Sequence, residues 1–301
     1  MRSSDLNVIR GAASALGPDI SLEIFRRICA ARHFEAGLIG AVKEGFVTTP
    51  VYLSTGQESI AAALSLAIPD FMIFAQHRCH AAYLSFGGDP ERLRDELMGL
   101  STGTSGGRAG SNCVQCHEEN ITMHGHHGLI GENVPLAVGA ALGSSKPAVC
   151  FFGDGAAEED YVLSGMGFAS THKLPVLFVC EDNNLSILTT VATRRSWSVT
   201  KIADALGIVS ADLSDDPWTL FLKAQELRRS LPAFINTFTC RANWHVGIGV
   251  DGPPEWDRFG IIKEDLDALG LSKEMTEIED SARASMGKIW DKKLLQRLSG
   301  K

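Results

Sequence analysis

Hydrophobic and polar positions are most clearly ordered between residues 148 and 184. Two short apolar runs, Ala148-Val149-Cys150-Phe151-Phe152 and Val176-Leu177-Phe178-Val179-Cys180, each close on polar residues, and the stretch between them is long enough for one crossover helix. That pattern predicts a parallel strand-helix-strand unit. Nearer the start, Leu22, Phe25, Ile28, Cys29, Phe34, Leu38, Ile39 and Val42 recur at helical spacing with Arg26, Arg27, Arg32 and Glu35 between them. This predicts an amphipathic helix running from a Ser21 N-cap to near Gly45. Further helices are predicted from Gln57 and Glu58 to Leu66, from Asp89 with Pro90 at its first position to Leu100, over 136–142, and from Asp216 to about Ser230. Strands are predicted over 208–213 and 234–240. Residues 101–111 are too rich in Gly and Ser for a regular element and read as a loop. From Gly252 onward the chain is charged and helical, with Trp256 and Trp290 as packing anchors.

These elements describe an α/β protein, a mostly parallel sheet flanked by helices. Its predicted organisation is an N-terminal extension (1–20), one domain (21–253) and a C-terminal helical segment (254–301) suited to subunit contacts.

With 301 residues and 45% apolar content the chain can bury a large core. A net charge of −8 and a pI near 5.6 argue against a nucleic-acid partner. No apolar run approaches the roughly 20 residues of a membrane span, and Met1-Arg2-Ser3-Ser4-Asp5 lacks the charged-then-apolar pattern of a signal peptide. A cytoplasmic protein is expected. Seven Cys scattered through apolar stretches fit reduced thiols, with Cys29, Cys150, Cys180 and Cys240 in the core.

Candidate chemistry sits where the central unit ends. Two successive parallel strands deliver Asp154 and Asn183 to one edge of the sheet, where α/β sheets bind ligands. Asp154, the Asn183 amide oxygen and a carbonyl just beyond it, at Leu185, are the oxygen ligands a hard divalent cation takes alongside a phosphate. Gly153 and Gly155 let backbone approach that phosphate, and a helix starting near Glu158 points its positive end there. Taken alone, Gly-Asp-Gly is equally a strand-helix turn with Asp as N-cap, and Asn-Asn a second turn.

The spacing adds to this. Gly153-Asp154-Gly155, a helix, and Asn183-Asn184 about thirty residues on resembles the thiamin-diphosphate motif, and its local wording is similar to the alpha subunit of the thiamin-diphosphate-dependent 2-oxo-acid dehydrogenases of the pyruvate and acetoin type. The resemblance spans about residues 20–250 and is strongest over 125–184. It implies the diphosphate-binding half of a thiamin-diphosphate fold, with thiamin diphosphate and Mg²⁺ as cofactors. It also implies that Gly153, Asp154, Gly155, Ala156 and Asn183 hold the diphosphate, with Asp154, Asn183 and Leu185 on the metal.

By the same resemblance Arg78 reaches the diphosphate, His80 matches a family histidine, and His77 stands in the cofactor site where an aromatic residue is usual. Gly128 makes backbone contact with the cofactor, Ile130 supports its bent shape, and His127 faces substrate. Arg241 holds the diphosphate, and His245 acts near the thiazolium and in acyl transfer. A separate beta subunit is implied, in an α₂β₂ arrangement, supplying the catalytic glutamate; Glu58 reads instead as a first-turn residue. The implied activity is decarboxylation of a 2-oxo acid with transfer of the acyl unit to a lipoyl acyltransferase. The alternatives are a carboligase or transketolase-like transfer to an aldehyde, ketone or other acceptor, and a non-catalytic or metal-binding relative.

Departures from the family pattern are local. Cys113 stands where the family has His, Asp182 replaces the first Asn of its Asn-Asn pair, and Leu185 replaces an aromatic. Cys113-Val114-Gln115-Cys116-His117 has the spacing of a c-type haem attachment site. With His124, His126 and His127 nearby, the same loop also carries the ligand types of a zinc site, but no second Cys pair completes the set, and active-site polar residues or plain loop thiols are the favoured reading.

Overall fold

The computed structural model describes residues 13–118, 120–252 and 254–300. The stretch read for a leader, and most of the predicted N-terminal extension, lie outside the described residues. The first long helix, Pro18–Lys43, starts three residues before the expected Ser21. Pro18 occupies the first turn, where its missing N–H costs nothing, and Ser21 lies inside the helix with its hydroxyl donated to the Ala13 carbonyl at 3.3 Å.

Seven strands form the main sheet: β1 (Met72–Phe74), β2 (Cys116–Glu118), β3 (Ile121–His124), β4 (Ala148–Gly153), β5 (Val176–Asp182), β8 (Val209–Ser214) and β9 (Ala233–Phe238). Two more, β6 (Leu185–Ser186) and β7 (Thr189–Thr190), make a separate hairpin. The main sheet runs β2-β3-β1-β4-β5-β9-β8 and is parallel except for the β2–β3 pair. That antiparallel pair falls in the Cys- and His-bearing stretch, where no strand is expected. β4 and β5 are adjacent and parallel, with Phe152 opposite Cys180 and Gly153 opposite Glu181.

Both faces of the sheet are covered, so its central strands read as continuous apolar runs. Val149, Phe151, Leu177 and Val179 face one core, which they share with the helices Pro18–Lys43, Glu58–Ala67, Pro217–Leu227 and Ser272–Ile289. Cys150, Phe152, Phe178 and Cys180 face the other, with Asn133–Ser144, Asp160–Thr171 and Val199–Ala205. Cys29, Cys150 and Cys180 lie in these cores as anticipated; Cys240 is only half-buried, because it follows the end of β9. The C-terminal helices pack onto the first one: the Trp290 ring lies 5.1 Å from that of Phe34. Trp256 is likewise used within the chain, its indole N–H donated to Asp215 at 3.1 Å. Among the described residues no helix is long and apolar enough to cross a membrane.

Candidate active site

At the carboxyl edge of β4 and β5 lies a crevice of about 140 Å³ lined by Gln57, Gln76, His77, Arg78, Ile130, Gly153, Asp154, Gly155, Ala156, Glu181, Asn183, Leu185, Ser186, Ile187 and His245. Asp154 follows β4 and is 1% exposed, and its carboxylate accepts a charged hydrogen bond from Arg194. The Asn183 amide is oriented on both sides, its oxygen accepting the Leu185 N–H at 3.1 Å and its nitrogen donating to Gln57 Oε1 at 2.9 Å. Asp182 does what the missing Asn would do at a turn: Oδ1 accepts the Asn184 N–H at 2.9 Å, and Asn184 takes a left-handed φ of 64° to start the β6–β7 hairpin. The helix expected near Glu158 begins at Asp160, because a 3₁₀ turn over Ala156–Glu158 comes first.

Arg78 is fixed from two directions. Nη1 donates to the Leu53 carbonyl at 2.9 Å, and Nη2 to the His245 carbonyl at 3.1 Å. Burial, with Arg241 nearby, lowers its pKa to about 10, so it is still a cation at neutral pH. Burial and the two arginines push His245 down to about 4 and His77 well below its ordinary value. Both rings are therefore neutral at pH 7, and they pack edge-on with Tyr52 and each other at 5.0–5.8 Å between centroids. Burial raises Glu181 to about 8 against the pull of Arg78, and raises Asp154 to about 6 with help from Asp182 and against Arg194. The crevice thus offers one permanent cation, neutral imidazoles, a protonated Glu181 and an Asp154 carboxylate offset by Arg194, an environment suited to an anion.

Several residues expected at this site lie elsewhere. Arg241 is not on the crevice wall. Its guanidinium pairs with Asp251 and donates to the Ile187 carbonyl at 2.7 Å, and Nη1 is buried without a partner. It lines a neighbouring cavity of about 450 Å³ with Asn183, Leu185 and Trp256. His127 and Gly128 are exposed on the turn after β3, where Glu132 accepts the His127 N–H. His80 is fully buried, Nδ1 2.9 Å from Glu35 and Nε2 2.9 Å from Ser111, with no access to the crevice. Glu58 is a first-turn residue, bonded to Arg32 at 2.5 and 3.0 Å. The loop cysteines and histidines are dispersed: Cys116 is buried in β2, the His117 ring packs on His124, and His126 is 6.4 Å from His77. Among the described residues no three His, Cys, Asp or Glu side chains are grouped to hold a metal ion.

Other crevice residues carry no motif. Gln76 Oε1 accepts the Gly153 N–H at 3.1 Å while its Nε2 is buried without a partner. Its signal is weak but real, a polar residue two positions before Arg78 at the end of an apolar strand. Glu181 carries a similar one, an acid closing a buried run. The glycine-rich loop has its own anchor in the buried Glu96, whose carboxylate accepts four backbone N–H groups, of Ser105, Gly107, Ala109 and Gly110, at 2.6–3.2 Å.

Similarity to known proteins falls on this part of the chain. Over 171 residues it is 32% identical to the mitochondrial pyruvate dehydrogenase E1 component subunit alpha of Dictyostelium discoideum, a match covering 55% of this chain and 44% of that one. It is 30% identical over 178 residues to the alpha subunit of the acetoin:2,6-dichlorophenolindophenol oxidoreductase of Cupriavidus necator, covering 57% and 53%. The matches span only about half the length of these relatives. Transketolase from Leishmania mexicana superposes with a TM-score of 0.55 over 94% of this chain and 47% of that one; at 15% identity the likeness is one of fold. The model of the dehydrogenase E1 component matches residues 26–245, which contain the whole crevice wall described above, and the chain belongs to that family.

Proposed function

We propose that this chain is the alpha component of a thiamin-diphosphate- and Mg²⁺-dependent enzyme that decarboxylates a pyruvate-like 2-oxo acid and passes the acyl unit to a lipoyl acceptor. A separate beta chain, in an α₂β₂ assembly, would supply the catalytic glutamate. The observation that carries the reading is the meeting of Asp154 and Asn183 in one crevice, delivered by adjacent parallel strands.

The residues present suit the cofactor. The carboxylate of Asp154 and the oxygens of Asn183 and Leu185 are the donors a hard cation selects. The orphaned Gln76 N–H and the Arg78 cation call for an anion. Gly153 leaves that side open, since a Cβ there would meet nothing nearer than Gln76 Oε1 at 3.9 Å. Arg194 must yield its hold on Asp154 for a metal to bind.

Thiamin diphosphate supplies a carbanion that adds to the oxo carbon and an electron sink for loss of CO₂. The chain would bind the diphosphate through Arg78 and Gln76, seat the metal on Asp154 and Asn183, and keep the neutral His245 imidazole free to take or give a proton. Ile130, on the crevice wall, would help keep water from the bound cofactor. The test is calorimetry of the chain, purified with its beta partner, against thiamin diphosphate and Mg²⁺. Asp154→Ala is expected to weaken binding by more than about a hundredfold, because even outer-shell partners of a metal are worth ten- to hundredfold. Unchanged affinity in that variant sinks the assignment, and consumption of an aldehyde instead of a lipoyl acceptor moves the second half-reaction to a carboligase.

A further inference from the structure

Behind the crevice wall runs a closed line of buried hydrogen bonds that the proposed chemistry does not use. Glu35, His80 and Ser111 are each at most 1% exposed. Ser111 Oγ accepts the Tyr52 N–H at 2.9 Å, so its own proton is free for His80 Nε2, also at 2.9 Å. The ring proton then sits on Nδ1 and is donated to Glu35 Oε1 at 2.9 Å. Glu35 also accepts the Ser54 N–H at 2.7 Å and the Thr55 hydroxyl at 2.5 Å. Burial opposes the Glu35 charge, but these bonds, led by the one from His80, hold its carboxyl below the usual carboxylate range. Every donor in the line has one acceptor, and this assignment runs its protons in one direction.

The line joins four pieces of chain: the Pro18–Lys43 helix, the 52–55 segment, the start of the His80–Ser85 helix and the end of the glycine-rich loop. Two crevice residues, Gln57 and Arg78, lie two positions from its members Thr55 and His80. Tyr52, whose ring touches His77 and His245, gives its N–H to Ser111. Arg78 is two residues from His80 and donates to Leu53, next to Tyr52 and Ser54.

We propose that His80, held in one tautomer between Glu35 and Ser111, is a positioning residue that sets Tyr52 and Arg78, and through them His245, against the bound anion. The proposal rests on the reading of the crevice as a diphosphate site, so its test carries one readout that needs no cofactor. In the full chain with its beta partner, Ser111→Ala and His80→Asn are compared with wild type by hydrogen exchange over residues 50–55 and by calorimetry with thiamin diphosphate and Mg²⁺. Leu266→Ala, a core change in the Arg258–Ala268 helix, serves as a control for general destabilisation.

Exchange at the Tyr52 amide is expected to quicken by about tenfold or more in both variants, with affinity falling about tenfold, the scale of an outer-shell partner. His80→Gln, whose amide oxygen can stand in for Nε2, should recover part of the loss. Leu266→Ala should lower the melting temperature and leave affinity within about twofold. Unchanged Tyr52 exchange in both variants, or an equal loss of affinity in Leu266→Ala, overturns the proposal. A wild-type chain that binds no thiamin diphosphate overturns the functional reading instead, and Tyr52 exchange then decides whether His80 positions the wall.

Discussion

Asp154 is held by a guanidinium where the proposed function places a metal ion. In this structure Arg194 donates to its carboxylate and forms an ion pair with Glu158, and Arg195 donates to its backbone carbonyl at 2.7 Å and to Glu158 at 3.0 Å. A guanidinium on a buried acid is worth about 1.5–3 kcal/mol as a charge-assisted bond, and a metal ion must outbid it. Removing the competitor should therefore help the ion. Arg194→Ala is expected to tighten Mn²⁺ binding about tenfold, a shift of about 1.4 kcal/mol, measured by calorimetry at pH 8, above the wild-type Asp154 value of about 6. Weaker binding would mean that Arg194 serves the bound anion, not the empty carboxylate. Neither arginine is marked in the sequence, where Arg194-Arg195 stands alone in a polar stretch. The residues that could be read there, Asp154, Asn183, Arg78 and His245, belong to short motifs at strand ends. Gln76 and Glu181 join them because the sheet sets the ends of β1, β4 and β5 side by side, and Gln57 comes in from the N-cap of the Glu58–Ala67 helix.

The elements themselves were easier to read than their partners. Strands β4 and β5 and the helices after Asp89 and Asp216 follow from apolar runs and caps, and both aspartates accept first-turn N–H groups as their position predicts. The β2–β3 hairpin escaped because its strands are only three and four residues long, too short for the alternation in Ile121-Thr122-Met123-His124 to stand out. Contacts between elements far apart in sequence left no trace at all, and Gly37 is the sharpest case. A mid-helix glycine normally costs about 0.5–1 kcal/mol relative to alanine, yet a Cβ here would lie 2.2 Å from Cδ1 and 2.6 Å from Cγ of Trp290. The glycine is the seat for the C-terminal indole. Gly37→Ala is thus expected to destabilise the protein by roughly 1–3 kcal/mol through overpacking, read as a lower Tm. In the Trp290→Ala background the same change should be neutral or stabilising. Additive effects of the two substitutions would show that the contact does not matter.

For the molecule as a whole, burial of titratable groups sets how stability varies with pH. His245, lowered to about 4, and His77, His126, His124 and His33, all lowered chiefly by burial, take up protons in the unfolded chain as pH falls below about 6.5, but resist them when folded. Stability from these groups is complete above that pH and is lost as pH drops toward 4. Raised acids work in the opposite sense. Glu181, at about 8, and Asp154, at about 6, hold protons in the folded chain that the unfolded chain has released, so their contribution is present at low pH and fades as pH rises through those values. Asp182, Asp215 and Asp216 are raised by burial as well, so the buried acids offset the histidines between pH 4 and 6.5, whereas Glu181, at about 8, still titrates between 7 and 8. The Tm of the chain without added metal or cofactor should therefore change little between about pH 5 and 7 and decline beyond. Glu181→Gln should remove that decline, and His245→Asn should raise the Tm at pH 5 relative to pH 7. A difference in Tm between those two pH values that His245→Asn leaves unchanged would mean that this imidazole meets more water in solution than the packing allows.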